Sequence, residues 1–88
     1  MYSTQIKIVN RTGFHARPAA DFVALAGKFR STIEVQRVGE EDSYNGKSIV
    51  MLLALGLSQG EEATITANGE DERDAVEALA ALINNLQE

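Results

Sequence analysis

Apolar and polar residues recur along this chain with two different periods, and the switches between them predict its elements. Residues 2–9 alternate: Tyr2, Thr4, Ile6 and Ile8 share one face, and Ser3, Gln5 and Lys7 the other, as in a half-buried strand. Turn formers fill residues 10–13. Over residues 16–27 the period lengthens. Ala19, Phe22, Ala26 and Phe29 recur at spacings of three and four, with Val23 and Leu25 beside them, which predicts an amphipathic helix. Pro18 suits its first turn, where a missing N–H costs little, and Gly27 and Lys28 suit its end. Residues 32–38 alternate again, residues 39–42 read as a hairpin turn, and a short strand is expected at 43–45. Residues 48–55 predict a short, very apolar helix with Ser48 as its N-cap and Gly56 as its stop. Residues 62–67 alternate once more and Asn68-Gly69 turns the chain. A last helix is expected at 70–86, striped by Val76, Leu79, Ala80 and Ile83. Glu70, Asp71, Glu72 and Asp74 fall in its first turn, where the helix dipole favours anions.

The predicted order is βαββαβα. Strands with one apolar face need cover on that face only, so the expected fold is an α+β open-faced sandwich: a four-stranded antiparallel sheet with three helices on one side. A length of 88 residues points to a single domain, residues 1–88, with a modest core. The apolar share of 44% and charged share of 24% fit a folded domain rather than a disordered tail. With no cysteine and one histidine, disulfides, thiolate clusters and histidine-rich metal sites drop out, and neither metal nor cofactor is expected. No apolar run approaches the ~20 residues of a membrane span, and the alternating N-terminus is not the pattern of a secretory signal. No membrane insertion and a cytoplasmic location are the resulting expectations.

Charge is unevenly placed. Residues 1–37 carry six basic and two acidic side chains, and residues 38–88 two basic and eleven acidic, for a net charge of −5 overall. The overall acidity argues against nucleic acid as a partner, while the basic half would draw a phosphate or an acidic protein surface. That half holds the only histidine, His15, just before the first helical residue. Three consequences follow from this position. The N–H groups of Ala16 and Arg17 would point at an anion on the ring. The helix dipole would oppose imidazolium and favour the neutral, nucleophilic ring. Arg17 would bring a fork-shaped guanidinium suited to phosphate oxygens. Gly13 would let the backbone expose the ring. A histidine at a helix start is in general more often a cap or a surface residue. A glycine two before it, an arginine two after and a proline three after make a rarer combination.

The stretch Gly13-Phe14-His15-Ala16-Arg17-Pro18-Ala19 resembles the active-site signature of the HPr family, the histidine-containing phosphocarriers of the bacterial phosphoenolpyruvate:sugar phosphotransferase system (PTS). Lys47-Ser48-Ile49, the stop at Gly56, the Gln59-Gly60 turn and the acidic last helix follow in family order. The resemblance implies a stoichiometric phosphoryl carrier rather than an enzyme. His15 would take a phosphoryl group on Nδ1 from enzyme I and give it to EIIA domains of sugar transporters, with Arg17 steadying the phosphate. Such transfer needs in-line geometry and charge stabilisation more than acid–base chemistry. The resemblance also marks Ser48 as a regulatory phosphorylation site, with HPr kinase/phosphorylase and a transcription regulator as further partners. A monomer is the expected state.

The short helix has apolar residues on every side. Leu52 and Leu55 are expected in the core, and Ile49, Val50 and Leu53 as an exposed patch. By the resemblance, this patch and Ala20 dock the protein partners. Three departures from the family pattern are visible: a hairpin at 38–44 about two residues longer than usual and expected to lie away from the motif, Met51 where relatives place glycine, and Ala24 and Gly27 where they place basic residues. Two other readings are a carrier of a parallel branch, serving nitrogen regulation or dihydroxyacetone kinase, and a regulatory co-effector without histidine phosphotransfer. The presence of His15 argues against the latter.

Overall fold

Each alternating segment becomes a strand and each three–four segment a helix. The structure, a computed structural model, describes residues 1–86. Its elements are β1 (Tyr2–Lys7), α1 (Ala16–Ala26), β2 (Thr32–Arg37), β3 (Tyr44–Asn45), α2 (Ile49–Leu55), β4 (Glu62–Asn68) and α3 (Glu72–Asn84), in the order expected. The strands lie in the order β1-β4-β2-β3, all neighbours antiparallel. The registers run Tyr2 opposite Ala67 to Lys7 opposite Glu62, and Thr32 opposite Asn68 to Arg37 opposite Ala63.

The pleat sorts the side chains. Ile6, Ile33, Val35, Ala63, Ile65 and Ala67 point to one face and are buried, while Ser3, Gln5, Lys7, Thr32 and Glu34 stand exposed on the other. The helices cover the apolar face. Phe22 of α1, Leu52 and Leu55 of α2, and Val76, Leu79 and Ile83 of α3 close one core with the sheet. Full burial of a side chain such as Phe22 stabilises by roughly 1.5–3 kcal/mol. Two alanines flank Ile65 on central β4, a small-residue surface on which α3 packs.

The registers give the molecule two distinct ends. Seven residues of β4 span ~20 Å. At one end β1 and β2 finish and β4 begins, gathering residues 8–15, 37–40 and 55–61. At the other end lie residues 30–31 and 68–72.

Several boundaries differ from expectation. β1 stops at Lys7, although Ile8 stays clasped, its N–H bonding Glu61 O at 2.9 Å and its carbonyl accepting from Gly60 N at 2.8 Å. Gly27 follows α1 in the right-handed conformation (φ −65°), so that helix end makes no use of a left-handed residue. The last helix begins at Glu72, two residues late, and ends at Asn84. Asp71 stands at its N-cap but leaves its own helix uncapped, because its carboxylate is spent across the molecule. It accepts from Arg30 N at 2.8 Å, Ser31 N at 3.0 Å and Ser31 Oγ at 2.6 Å. The last helix's predicted end at residue 86 also falls short: Asn85 caps the helix and Leu86 lies beyond it.

Candidate functional site

The site is built from the turn that leaves β1. Asn10 is buried, and its Nδ2 donates to Gly13 O at 2.7 Å while Gly13 N donates back to Asn10 O at 3.2 Å, which closes the turn on itself. Gly13 has φ +71°, and a Cβ there would stand 2.7 Å from Leu57 O and 3.1 Å from Ser58 Cα. The glycine thus serves two needs: a left-handed backbone and a close approach to residues 57–58. Phe14 N donates to Leu57 O at 2.8 Å. The Phe14 ring is buried edge-on against Phe22, 5.5 Å between centroids at 86°. The residue before the histidine is therefore held by backbone and side chain alike.

His15 follows as the N-cap of α1, extended (φ −89°, ψ −163°), its carbonyl accepting from Ala19 N at 2.9 Å. Its side chain makes no capping bond, so the ring is not consumed by its own helix. The ring is half-buried, and its Nε2 is shut off from solvent without a partner among the described residues. With Thr12, Ala16, Leu53, Gly56 and Leu57, the histidine lines a shallow surface hollow. Arg17 is exposed one position into the helix and lines a different hollow, with Asn10, Pro18, Asp21 and Leu82. In this conformation the two residues face separate depressions on either side of the first turn.

Ser48 caps α2 as its sequence context predicts, its Oγ accepting from Met51 N at 3.3 Å, and Gly56 ends the helix in the left-handed conformation. Leu52 and Leu55 are buried; Val50 (72% exposed), Leu53 (45%) and Met51 (38%) are open. The patch therefore differs in one member. Ile49 is half-buried against the core, and Met51 takes its place at the surface. Ala20 is exposed on α1. Leu53 is the patch residue that the structure brings to the histidine hollow.

Sequence reasoning passed over one group at this end. Arg37, closing β2, donates from Nε to Glu61 Oε2 at 2.9 Å, from Nη1 to Glu40 Oε1 at 3.1 Å, and from Nη2 to Leu55 O at 2.6 Å. Burial alone would lower the Arg37 pKa, but the bonds and charges of Glu61 and Glu40 outweigh it and raise it. Glu61 is held below the usual carboxylate range, first by the Ser58 N–H it accepts at 2.7 Å and then by Arg37. Arg37 counted in the sequence only as one more positive charge. Its partners lie up to 24 residues away, beyond any local pattern.

A four-stranded open-faced sandwich whose only histidine opens the first helix, beside an exposed apolar turn, defines a class of small single-histidine α+β domains. The family described as "PTS HPr component phosphorylation site" matches residues 2–85, and the chain belongs to it. The phosphocarrier protein HPr of Haemophilus influenzae is 47% identical over 87 residues, covering 99% of this chain and all of that one. The crystal structure of HPr-C-His from Thermoanaerobacter tengcongensis is 45% identical with a TM-score of 0.88, over 96% of this chain and 92% of that one. Bacillus subtilis Crh, whose crystal structure is described as a swapped dimer, is 39% identical with a TM-score of 0.75, over 100% of this chain and 99% of that one.

Proposed function

We propose that this chain is a PTS phosphocarrier that takes a phosphoryl group on His15 from phospho-enzyme I and gives it to EIIA domains. The observation that carries the reading is the His15 ring itself: it stands at the head of α1, makes no capping bond, and borders a surface hollow. With Nε2 closed to solvent, Nδ1 is the nitrogen left for an incoming phosphorus. As the P–N bond on the donor breaks, the lone pair of Nδ1 forms the new one. The negative charge then lies where the opening N–H groups of α1, at Ala16 and Arg17, and the positive end of its dipole are directed. Arg17 lines the neighbouring hollow, and rotation of its long side chain brings the guanidinium to the phosphate oxygens. Val50, Met51 and Leu53 of α2 and the exposed Ala20 of α1 supply the apolar contact for both partners. All of these parts lie on one copy of the chain, which supports a carrier that needs no second copy for transfer.

The test is incubation with enzyme I and phosphoenolpyruvate. The expected result is a mass gain of one phosphoryl group, stable in alkali and lost in acid. His15→Ala abolishes the gain, and Arg17→Ala slows it without unfolding the protein. A His15→Ala variant that still gains the group overturns the reading.

Regulation at Ser48 belongs to the same proposal. A phosphate on Ser48 Oγ would put roughly two negative charges beside Val50 and Met51 and weaken docking of acidic partners. Reduced phosphoryl uptake by Ser48→Asp, with its fold unchanged, is the expected outcome.

A further inference from the structure

The Arg37 guanidinium ties together three segments that are separate in sequence. Nη1 holds Glu40 in the β2–β3 hairpin, Nε holds Glu61 before β4, and Nη2 takes the end carbonyls of α2, Leu55 at 2.6 Å and Gly56 at 3.3 Å. Helix ends leave such carbonyls without helical partners, and a cation there satisfies both bonding and dipole. Glu61 passes the tie onward, its other oxygen accepting from Ser58 N at 2.7 Å. Residues 56–58 are thus held at both ends, from Leu55 and Gly56 on one side and from Ser58 on the other. That short segment is the wall on which the histidine turn rests. Phe14 N bonds Leu57 O at 2.8 Å, and the Gly13 backbone lies against Leu57 and Ser58. The next residue is His15, and Gly56, Leu57 and Ser58 line its hollow. The hairpin expected to lie away from the motif therefore reaches it through Glu40 and Arg37.

We infer that Arg37, with Glu61 and Glu40, is a positioning residue for phosphoryl transfer: it fixes the wall that sets the His15 ring in line with the incoming group. The inference rests on the reading of His15 as acceptor. It makes Arg37 act through residues 56–58 and Phe14, never on the phosphate itself. Loss of the tie lets the wall and the ring shift, and small misplacement is costly for an in-line transfer. The most open docking residue, Val50, and its neighbour Met51 lie in the first turn of α2, away from the Leu55 and Gly56 carbonyls that Arg37 holds, so the loss falls on kcat more than on KM.

The experiment compares wild type, Arg37→Ala, Arg37→Lys and Asp71→Ala well below their melting transitions. Asp71 lies at the opposite end of the sheet, so its variant lowers stability without touching the wall. Initial rates of phosphorylation by phospho-enzyme I are measured against carrier concentration, with amide exchange at Phe14 alongside. For Arg37→Ala, kcat falls about fivefold with KM within about twofold, still ending at one phosphoryl group. The Phe14 amide exchanges about tenfold faster. Lysine keeps the charge but cannot span Glu61 and the two carbonyls at once, so Arg37→Lys regains stability without regaining kcat. Asp71→Ala keeps the wild-type kcat. An Arg37→Ala protein with wild-type kcat, or with a loss matched by Asp71→Ala, overturns the positioning role while leaving the acceptor reading intact. A wild type that takes up no phosphoryl group overturns both. If Arg37→Ala does not fold, Glu40→Gln carries the test with a kcat loss of about twofold, and an unchanged kcat there counts against the inference.

Discussion

Gly13 shows how much a single residue is asked to do before the histidine can be placed. Its φ of +71° would cost an alanine ~1–2 kcal/mol in backbone strain. The same alanine would also drive its Cβ to 2.7 Å from Leu57 O and 3.1 Å from Ser58 Cα, both backbone atoms that cannot swing aside. Gly60 offers the comparison, with φ +90° and nothing within 4 Å of its Cβ position. Gly13→Ala is therefore expected to lose more than about 2 kcal/mol in urea unfolding, and Gly60→Ala only the strain part, about 1–2 kcal/mol. Equal losses would refute the close-approach argument. The need for backbone freedom at Gly13 was legible, because a turn before a helix demands it. The approach to Leu57 was not, since the partner is more than forty residues away. For the same reason the place of His15 at the head of α1 could be read from its neighbours alone, whereas the burial of Asn10 and the clamp on Arg37 required the fold.

At the scale of the element, α2 is the instructive case. Its bounds were readable because Ser48 and Gly56 carry side-chain and backbone signals of their own, and the structure places both as cap and stop. Its facing was only partly readable. Seven residues, Ile49–Leu55, all apolar, give a helical period little contrast. Leu52 and Leu55 came out inside as expected, but Ile49 leans on the core and Met51 opens to solvent. The cap bond from Met51 N to Ser48 Oγ predicts a specific pattern of stabilities. Ser48→Ala is expected to cost about 1 kcal/mol in denaturant midpoint terms, and Ser48→Asp, whose carboxylate caps as well, to stay close to wild type. A Ser48→Asp protein as unstable as Ser48→Ala would mean that the serine is held for some reason other than capping. Because aspartate keeps the cap while adding charge, the same pair separates loss of helix from loss of docking when phosphoryl uptake is compared.

Across the whole molecule, the two ends of the sheet divide the labour. The end holding His15, Arg37 and residues 56–58 is where the proposed phosphoryl transfer takes place. The other is sewn shut by Asp71, which joins the α1–β2 connection to the start of α3 across 40 residues of sequence. The order of elements and the one-sided cover were legible from alternation and amphipathic spacing. This cross-link was not, because an aspartate in the first turn of a helix reads as a dipole partner whatever else it does. The Ser31 hydroxyl, followed by the N–H of Arg30 and that of Ser31, pulls the Asp71 pKa from 3.8 down to about 2. A carboxyl group lowered on folding stabilises the protein fully above its unfolded pKa, and that contribution disappears as pH falls through its folded pKa. The Asp71 contribution is therefore complete above about pH 4 and lost toward pH 2. Glu61, held low chiefly by Ser58 N–H, and Glu72, held low chiefly by the Met1 amino group, add to the acid slope. Asp71→Asn keeps an oxygen for Ser31 but no titrating group, so it should be less stable than wild type at pH 7, with the gap closing between pH 4 and pH 2. Urea midpoints measured over that range check it, and a gap that stays constant would show that the Asp71 charge contributes nothing to the cross-link. Since the titrating group sits ~20 Å along β4 from the histidine end, the kcat of phosphoryl transfer in Asp71→Asn at pH 7 should match wild type even where its stability does not.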